Sequence, residues 1–221
     1  MASGSQRSLI QLGVHNTQLN RRMTEVMLCW SMLALAWLFI AADEVAIVQG
    51  WHSSEWMELL RPLFAAITDL ILYPFYAIFL LAIGWGIVRK DARLRGLAWR
   101  YLGAQIVGSV VLVRLGKMLL GRGRPNSELP GQFTGDAWSW TLDASLHSMP
   151  SGHTADLVTG AVFLVLFAAT PWLRMALLLL ATIGGFSRVA VAAHWPSDVL
   201  AGALIGALAA YLVLRLWPPR D

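Results

Sequence analysis

Hydrophobic positions run in long blocks along this chain, and polar residues gather in short gaps between them. A helix that crosses a bilayer needs roughly 20 mostly apolar residues. Six blocks approach that length, at about 27–47, 63–88, 97–120, 154–170, 172–190 and 197–217. The fourth is short, and Pro171 separates it sharply from the fifth. The pattern predicts an all-α, polytopic membrane protein with six transmembrane helices. It divides the chain into a polar tail at 1–26, a six-helix membrane domain at 27–217 and a short tail at 218–221. No cleavage-site pattern follows an apolar run near the start, so the first block reads as an uncleaved anchor. The longest gap, about 121–152, is expected to link the third and fourth helices.

Charge orients this plan. With six crossings both termini share one side, together with the 2–3 and 4–5 connections. That side holds eleven of the seventeen Lys and Arg residues, among them Arg21, Arg22, Arg89, Lys90, Arg93 and Arg95. The other side holds Arg61, Lys117, Arg122, Arg124 and Arg188, and Arg114 falls inside the third block. Lys and Arg concentrate on the cytoplasmic side of short loops. The termini are therefore expected in the cytoplasm and the long polar gap outside. Tryptophans fit the same map, because an indole favours the membrane–water interface. Trp51, Trp56, Trp138, Trp140 and Trp195 fall near the outer boundary; Trp85, Trp99, Trp172 and Trp217 fall near the inner one. Trp138 and Trp140, in the long outer gap, are placed to dip into lipid beside a site there.

Composition agrees. Hydrophobic residues make up 57% of the chain and charged ones 14%, against about 25% charged in a soluble domain. Mean hydropathy is +0.59. The net charge of +4 is accounted for by topology, so no nucleic-acid partner is expected. The single cysteine, Cys29, lies in an apolar block and reads as a small packing residue.

Three polar clusters map to the outer face. They are KMLLGRGRP (Lys117–Pro125), PSGH (Pro150–His153) and SRVAVAAHWPSD (Ser187–Asp198). Each alone has a plain structural reading, as an interfacial anchor or a helix cap. Together they bring Lys117, Arg124 and Arg188, the hydroxyl of Ser151, the imidazoles of His153 and His194 and the carboxylate of Asp198 to one patch. Gathered cations near a membrane are costly unless an anion joins them. Phosphate suits them, because its oxygens match the guanidinium fork. Gly152 opens a helix, and the free N–H groups of a helix start favour an anion. Two histidines divide the chemistry: one attacks phosphorus and the other protonates the departing oxygen. A nucleophilic imidazole must be held by its other nitrogen. His194 has Asp198 four residues on, across a helix start set by Pro196, whereas His153 has only Asp156 as a candidate partner. His194 is thus the expected nucleophile and His153 the general acid. No HExxH or CxxC pattern occurs, so neither metal nor other cofactor is expected; the cations and backbone N–H groups would neutralise the phosphoryl charge.

At these residues the chain resembles the type 2 phosphatidic acid phosphatase superfamily. Its pattern, K-x6-RP then PSGH then SR-x5-H-x3-D, is matched by Lys117 with Arg124-Pro125, by Pro150-Ser151-Gly152-His153, and by Ser187-Arg188, His194 and Asp198. The resemblance implies metal-independent hydrolysis of a membrane-embedded lipid phosphate or diphosphate through a phosphohistidine. Its members act on undecaprenyl diphosphate, phosphatidylglycerophosphate, phosphatidic acid or lipid A. In that reading His194, His153 and Asp198 are catalytic, and Lys117, Arg124, Ser151, Gly152 and Arg188 hold the phosphoryl oxygens. It further implies a bacterial inner (cytoplasmic) membrane, with the site facing the periplasm or exterior. Two alternatives stay open: transfer of the phosphoryl group to another lipid, and transport of a phospholipid or phosphate without cleavage.

Outside the motifs, Asp69 and Arg114 are charges within the second and third blocks and are expected to pair. His147 reads as an exposed loop residue, with a place lining the pocket mouth as the alternative, and Asp43 and Glu44 as residues that meet water at the outer end of the first block.

Overall fold

The structure, a computed structural model, describes residues 2–40, 43–134 and 142–218. The helices are α1 (Ala2–Ile40), α2 (Glu44–His52), α3 (Glu55–Leu70), α4 (Leu72–Val88), α5 (Ala92–Gln105), α6 (Arg114–Leu120), α7 (Gly152–Phe167), α8 (Pro171–Ala190) and α9 (Pro196–Leu216). A π-helical stretch, Ile106–Val113, joins α5 to α6, and a 3-10 turn, Ala144–Leu146, lies in the long connection before α7. The fold is helical; the β-like feature among the described residues is an isolated antiparallel bridge between Arg122 and Phe133. Among the described residues four helical rods are long and apolar enough to cross a membrane: Glu55–Val88, Ala92–Leu120, Pro171–Ala190 and Pro196–Leu216. A shorter apolar helix, α7, accompanies them. The protein is a membrane protein.

The rods differ from the hydrophobic blocks where capping chemistry intervenes. The block expected at 27–47 is not one helix. α1 runs from Ala2 through the expected tail to Ile40, and α2 starts anew at Glu44. Asp43 is the N-cap of α2 and accepts the Ala46 N–H at 3.1 Å, so it does more than meet water. The second rod begins at Glu55 rather than near residue 63 and is interrupted at Ile71 between α3 and α4. Pro74, three residues on, has no N–H to return to the Leu70 carbonyl, and its ring crowds that turn. α8 begins as expected: Thr170 caps it and Pro171 takes the first helical position.

α7 is the central helix. Ala155, Leu157, Val158, Ala161, Val162 and Phe163 are all fully buried, as expected of a helix that is apolar all round. α9 lies closest to it through Gly202 and Gly206. A Cβ on Gly202 would land on the Ser151 carbonyl, and one on Gly206 on the Ala155 carbonyl. Small residues at four-residue spacing let the two backbones approach, and the Thr159 hydroxyl donates to the Gly206 carbonyl at 3.2 Å. α4 and α5 close another side: Phe79 stacks on Tyr101 at 3.7 Å, and both meet Phe163 edge-on.

The two ends of the bundle are chemically different. At one end arginines bind helix C-termini, where free carbonyls and the helix dipole favour cations. Arg22 donates to the carbonyls of Val165, Leu166 and Ala168 at 2.5, 2.6 and 3.3 Å. Arg100 donates to those of Trp217 and Pro218 at 2.6 and 2.7 Å. Trp85, Trp99, Trp172 and Trp217 are exposed on this half, as an interfacial belt requires. At the other end the C-termini of α6 and α8 meet the N-termini of α7 and α9. Trp56 is exposed there, but Trp195 is fully buried and its indole donates to the Gly123 carbonyl at 2.8 Å. Trp195 is a packing anchor for the long connection, not a belt residue. Trp138 and Trp140 lie outside the described residues.

Candidate active site

The site is assembled by helix ends. Ser151 is the N-cap of α7: its Oγ accepts the Thr154 hydroxyl at 3.0 Å and, more weakly, the Thr154 N–H at 3.5 Å. The Ser151 N–H donates to the Asp198 carbonyl at 2.9 Å, which ties the start of α7 to the start of α9. Ser151 is fully buried, and its oxygen serves as the capping acceptor. Gly152 follows as the first helical residue, and His153 comes next.

α8 ends in a tight turn. The N–H groups of Ala193 and His194 both donate to the Arg188 carbonyl, at 3.0 and 3.1 Å, with Ala192 left-handed at φ 57°. This folds His194 back over the end of its own helix. Pro196 then opens α9 and places Asp198 in its first turn. The Asp198 carboxylate takes the Trp195 N–H at 2.9 Å, half of a capping box; an indole cannot supply the other half. His194 Nδ1 stands 3.6 Å from Asp198 Oδ2, ion-pair range rather than a closed hydrogen bond. His194 is 2% exposed. Burial pulls its pKa down to about 4, against the pull of Asp198 in the other direction. The imidazole is neutral at physiological pH.

Three cations surround this pair. Arg124 is half-buried and donates from Nε to the Ala144 carbonyl at 3.0 Å and from Nη2 to that of His147 at 3.4 Å. Arg188 donates from Nη1 to the Thr68 hydroxyl at 3.1 Å. Lys117, at the end of α6, is within electrostatic range of Arg124, Arg188, Arg114 and Asp198. His153 is likewise within range of Arg188 and His194, and its ring faces the Thr68 backbone. The structure thus brings together Lys117, Arg124, Arg188, His153, His194 and Asp198, with Ser151 and Gly152 at the helix start between them. Among the described residues four buried side-chain polar atoms have no hydrogen-bond partner, and three are here: His153 Nε2, His194 Nδ1 and Arg188 Nε. Buried polar groups are nearly always bonded. His194 Nδ1 is turned to Asp198, whereas His153 Nε2 and Arg188 Nε, beside three cations, make a seat for an anion. No three His, Cys, Asp or Glu side chains cluster as a metal site among the described residues. A groove of about 440 Å³ between α1 and α9, lined by Met23, Met27, Leu208 and Tyr211 among others, includes none of these groups.

Three expectations about neighbouring residues are corrected. Asp156 does not orient His153; it accepts the hydroxyls of Tyr76 (2.7 Å) and Ser109. Asp69 and Arg114 form no ion pair: both are exposed, and Asp69 instead acts electrostatically on Arg188. Glu44 does not simply meet water; it binds Arg122 and Ser197. Four contributors lie outside the motif reading. Arg122 reaches Asp198 Oδ1 at 2.6 Å, and the Ser148 hydroxyl reaches Oδ2 at 2.5 Å. Glu44 holds Arg122 from α2, and Thr68 holds Arg188 from α3. The signal for Arg122 was its place between Lys117 and Arg124; Glu44, Ser148 and Thr68 carry none that is local in sequence.

Residues 97–221 match the sequence profile of the PAP2 superfamily. The chain is similar to the lipid A 1-phosphatase of Rhizobium etli, 36% identical over 121 residues that cover 53% of this chain and 50% of that one. It is also similar to an undecaprenyl-diphosphatase of Sulfolobus acidocaldarius, 39% identical over 70 residues, covering 32% and 34% of the two chains. The chain spans about half the length of the first of these relatives. Among solved structures, Aquifex aeolicus LpxE superposes with a TM-score of 0.53 at 25% identity, over 77% of this chain and 93% of that one.

Proposed function

The chain belongs to the PAP2 superfamily, and from that premise we propose that it is a lipid phosphatase working through a phosphohistidine on His194. The observation that carries this reading is the single cluster of Lys117, Arg124 and Arg188 around His153, His194 and Asp198. The cations hold the phosphoryl oxygens, helped by the start of α7 at Gly152. His194 attacks with Nε2. A phosphorus–nitrogen bond forms, the bond to the lipid oxygen breaks, and His153 supplies the proton that oxygen needs. His153 then takes a proton from water as the water displaces His194, and phosphate leaves. Arrival of a phosphoryl anion offsets the cations facing His153 and favours its protonated form. Asp198 keeps His194 in the productive tautomer and balances its charge as it reacts.

The substrate is an amphiphile of the lipid A, undecaprenyl diphosphate, phosphatidylglycerophosphate or phosphatidic acid type. Its head group enters from the bilayer between helices while its tails stay in lipid. The chain crosses six times, as α1, α3–α4, α5–α6, α7, α8 and α9. Both termini are cytoplasmic, 27–217 forms the membrane domain, and the site opens to the periplasm or exterior of the inner membrane. Support comes from the arginines at the opposite end of the bundle, including Arg22, Arg100 and Arg174. The test is to trap the intermediate. Wild-type protein incubated with a lipid bearing labelled phosphate is quenched and digested. Label on the peptide holding His194, lost in His194→Ala and formed more slowly in His153→Ala, is the expected result. Turnover without protein-bound label under any quench would overturn the phosphohistidine.

A further inference from the structure

Asp198 is more heavily held than an orienting carboxylate requires. Its Oδ1 accepts Arg122 Nη1 at 2.6 Å; its Oδ2 accepts the Ser148 hydroxyl at 2.5 Å and the Trp195 N–H at 2.9 Å. Oδ2 is also the atom that faces His194 Nδ1. Arg122 is 4% exposed and Asp198 fully buried. Arg122 is itself fixed on all sides. Its Nε donates to the Gly131 carbonyl at 3.3 Å, Nη1 also reaches the Ser197 hydroxyl at 2.6 Å, and Nη2 reaches Glu44 Oε1 at 2.5 Å. The rings of Phe133 and Trp195 lie 5.0 and 5.7 Å from its guanidinium carbon. Glu44 closes the frame: it accepts the Ser197 hydroxyl at 2.5 Å and, at 3.2 Å each, the Ser197 N–H and the Trp37 indole N–H. Four of the five guanidinium N–H bonds are thereby used inside the protein, so Arg122 has little left to offer a phosphate.

We propose that Arg122 and Glu44 are positioning residues for the nucleophile, locking the Asp198 carboxylate so that its Oδ2 keeps the His194 proton on Nδ1 and leaves Nε2 free to attack. The role of His194 as nucleophile rests on the function proposed above; the locking of its tautomer does not. Glu44 belongs to α2, outside the segment that matches the superfamily profile, so the N-terminal part of this chain reaches into the charge system of the site. The signs are consistent. Glu44, Arg122 and Asp198 together carry −1, which opposes the positive field of Lys117 and Arg124 at His194. Removing the Glu44 charge leaves that of Arg122 wholly on Asp198 and weakens the pull on Nδ1–H. His153 is the remaining titratable group facing the pair.

The experiment is histidine-selective ¹⁵N NMR on the full chain in micelles, with His194 assigned by loss of its signals in His194→Asn, beside kinetics on a lipid phosphate. Glu44→Gln keeps the shape of the side chain and Arg122→Lys keeps the charge, so one informs if the other fails to fold. Wild-type His194 is expected protonated on Nδ1, and each variant to show mixed tautomers. kcat should fall about ten- to a hundredfold, short of the roughly 10⁴-fold seen when an orienting carboxylate is itself replaced, with KM nearly unchanged. An unchanged tautomer in the folded variants would overturn the proposal, as would KM rising in step with the loss of kcat, the mark of direct substrate contact. If the variants shift the tautomer but wild type hydrolyses no lipid phosphate, the positioning stands and the proposed function falls.

Discussion

The chemistry of individual residues turns on burial. His194 is neutral because desolvation outweighs the carboxylate beside it, bringing its pKa to about 4. A neutral imidazole is the competent nucleophile, so the acid limb of kcat/KM should fall toward pH 4; a limb centred near 6.5, the ordinary histidine value, would contradict the geometry. Stability follows the same sign. A depressed pKa in the folded state means protons bind better to the unfolded chain. The contribution of His194 is therefore full above about pH 6.5 and is lost as pH falls toward 4. Thermal melts in that window should fall less steeply for His194→Asn than for wild type. Asp198→Asn should lower kcat by about 10³- to 10⁴-fold with little change in KM, because the wrong tautomer is then presented. The six side chains that converge at the candidate site could be picked out in sequence because each sits in a short motif whose spacing survives in one dimension. Arg122, Glu44, Ser148 and Thr68 were not, because their contacts join positions 50 to 120 residues apart. Asp156 shows the converse: proximity along the chain suggested His153, yet the side chain points to Tyr76 and Ser109.

At the scale of elements, the site depends on how α7 and α9 are clamped. Gly206→Leu would drive a side chain into the Ala155 carbonyl. Such overpacking typically costs about 1–3 kcal/mol and should move the N-termini of both helices together. Activity and melting temperature are expected to fall in parallel. Arg22→Ala acts differently. It strips three carbonyls at the far end of α7 of a charged donor, and hydrogen bonds to a charged group are worth about 1.5–3 kcal/mol. It should lower the melting temperature while leaving kcat of the folded protein unchanged. Apolar block length located α5–α6, α8 and α9 well. It misjudged the first two blocks because hydropathy does not register a cap such as Asp43 or a ladder break such as Pro74. The π-helical stretch Ile106–Val113 was equally invisible: in it Gly108 lies against Ala209 and Ser109 reaches Asp156, contacts with helices far along the chain.

For the whole molecule, asymmetry of charge is the organising fact. Arginines bind the helix C-termini at one end, while at the other Lys117, Arg124 and Arg188 surround two histidines. With the orientation proposed, Glu128→Cys in a Cys29→Ala background should react with a membrane-impermeant thiol reagent added outside intact cells, and Lys90→Cys should react only after lysis. The reverse pattern would invert the topology. The decisive measurement is phosphate release by the purified protein in detergent with a chelator present. Undecaprenyl diphosphate, phosphatidylglycerophosphate, phosphatidic acid and lipid A would be offered in turn, beside His194→Ala. Release from at least one lipid, indifferent to the chelator and abolished in the variant, is the predicted result. No release from any of them, or release that persists in His194→Ala, would contradict it.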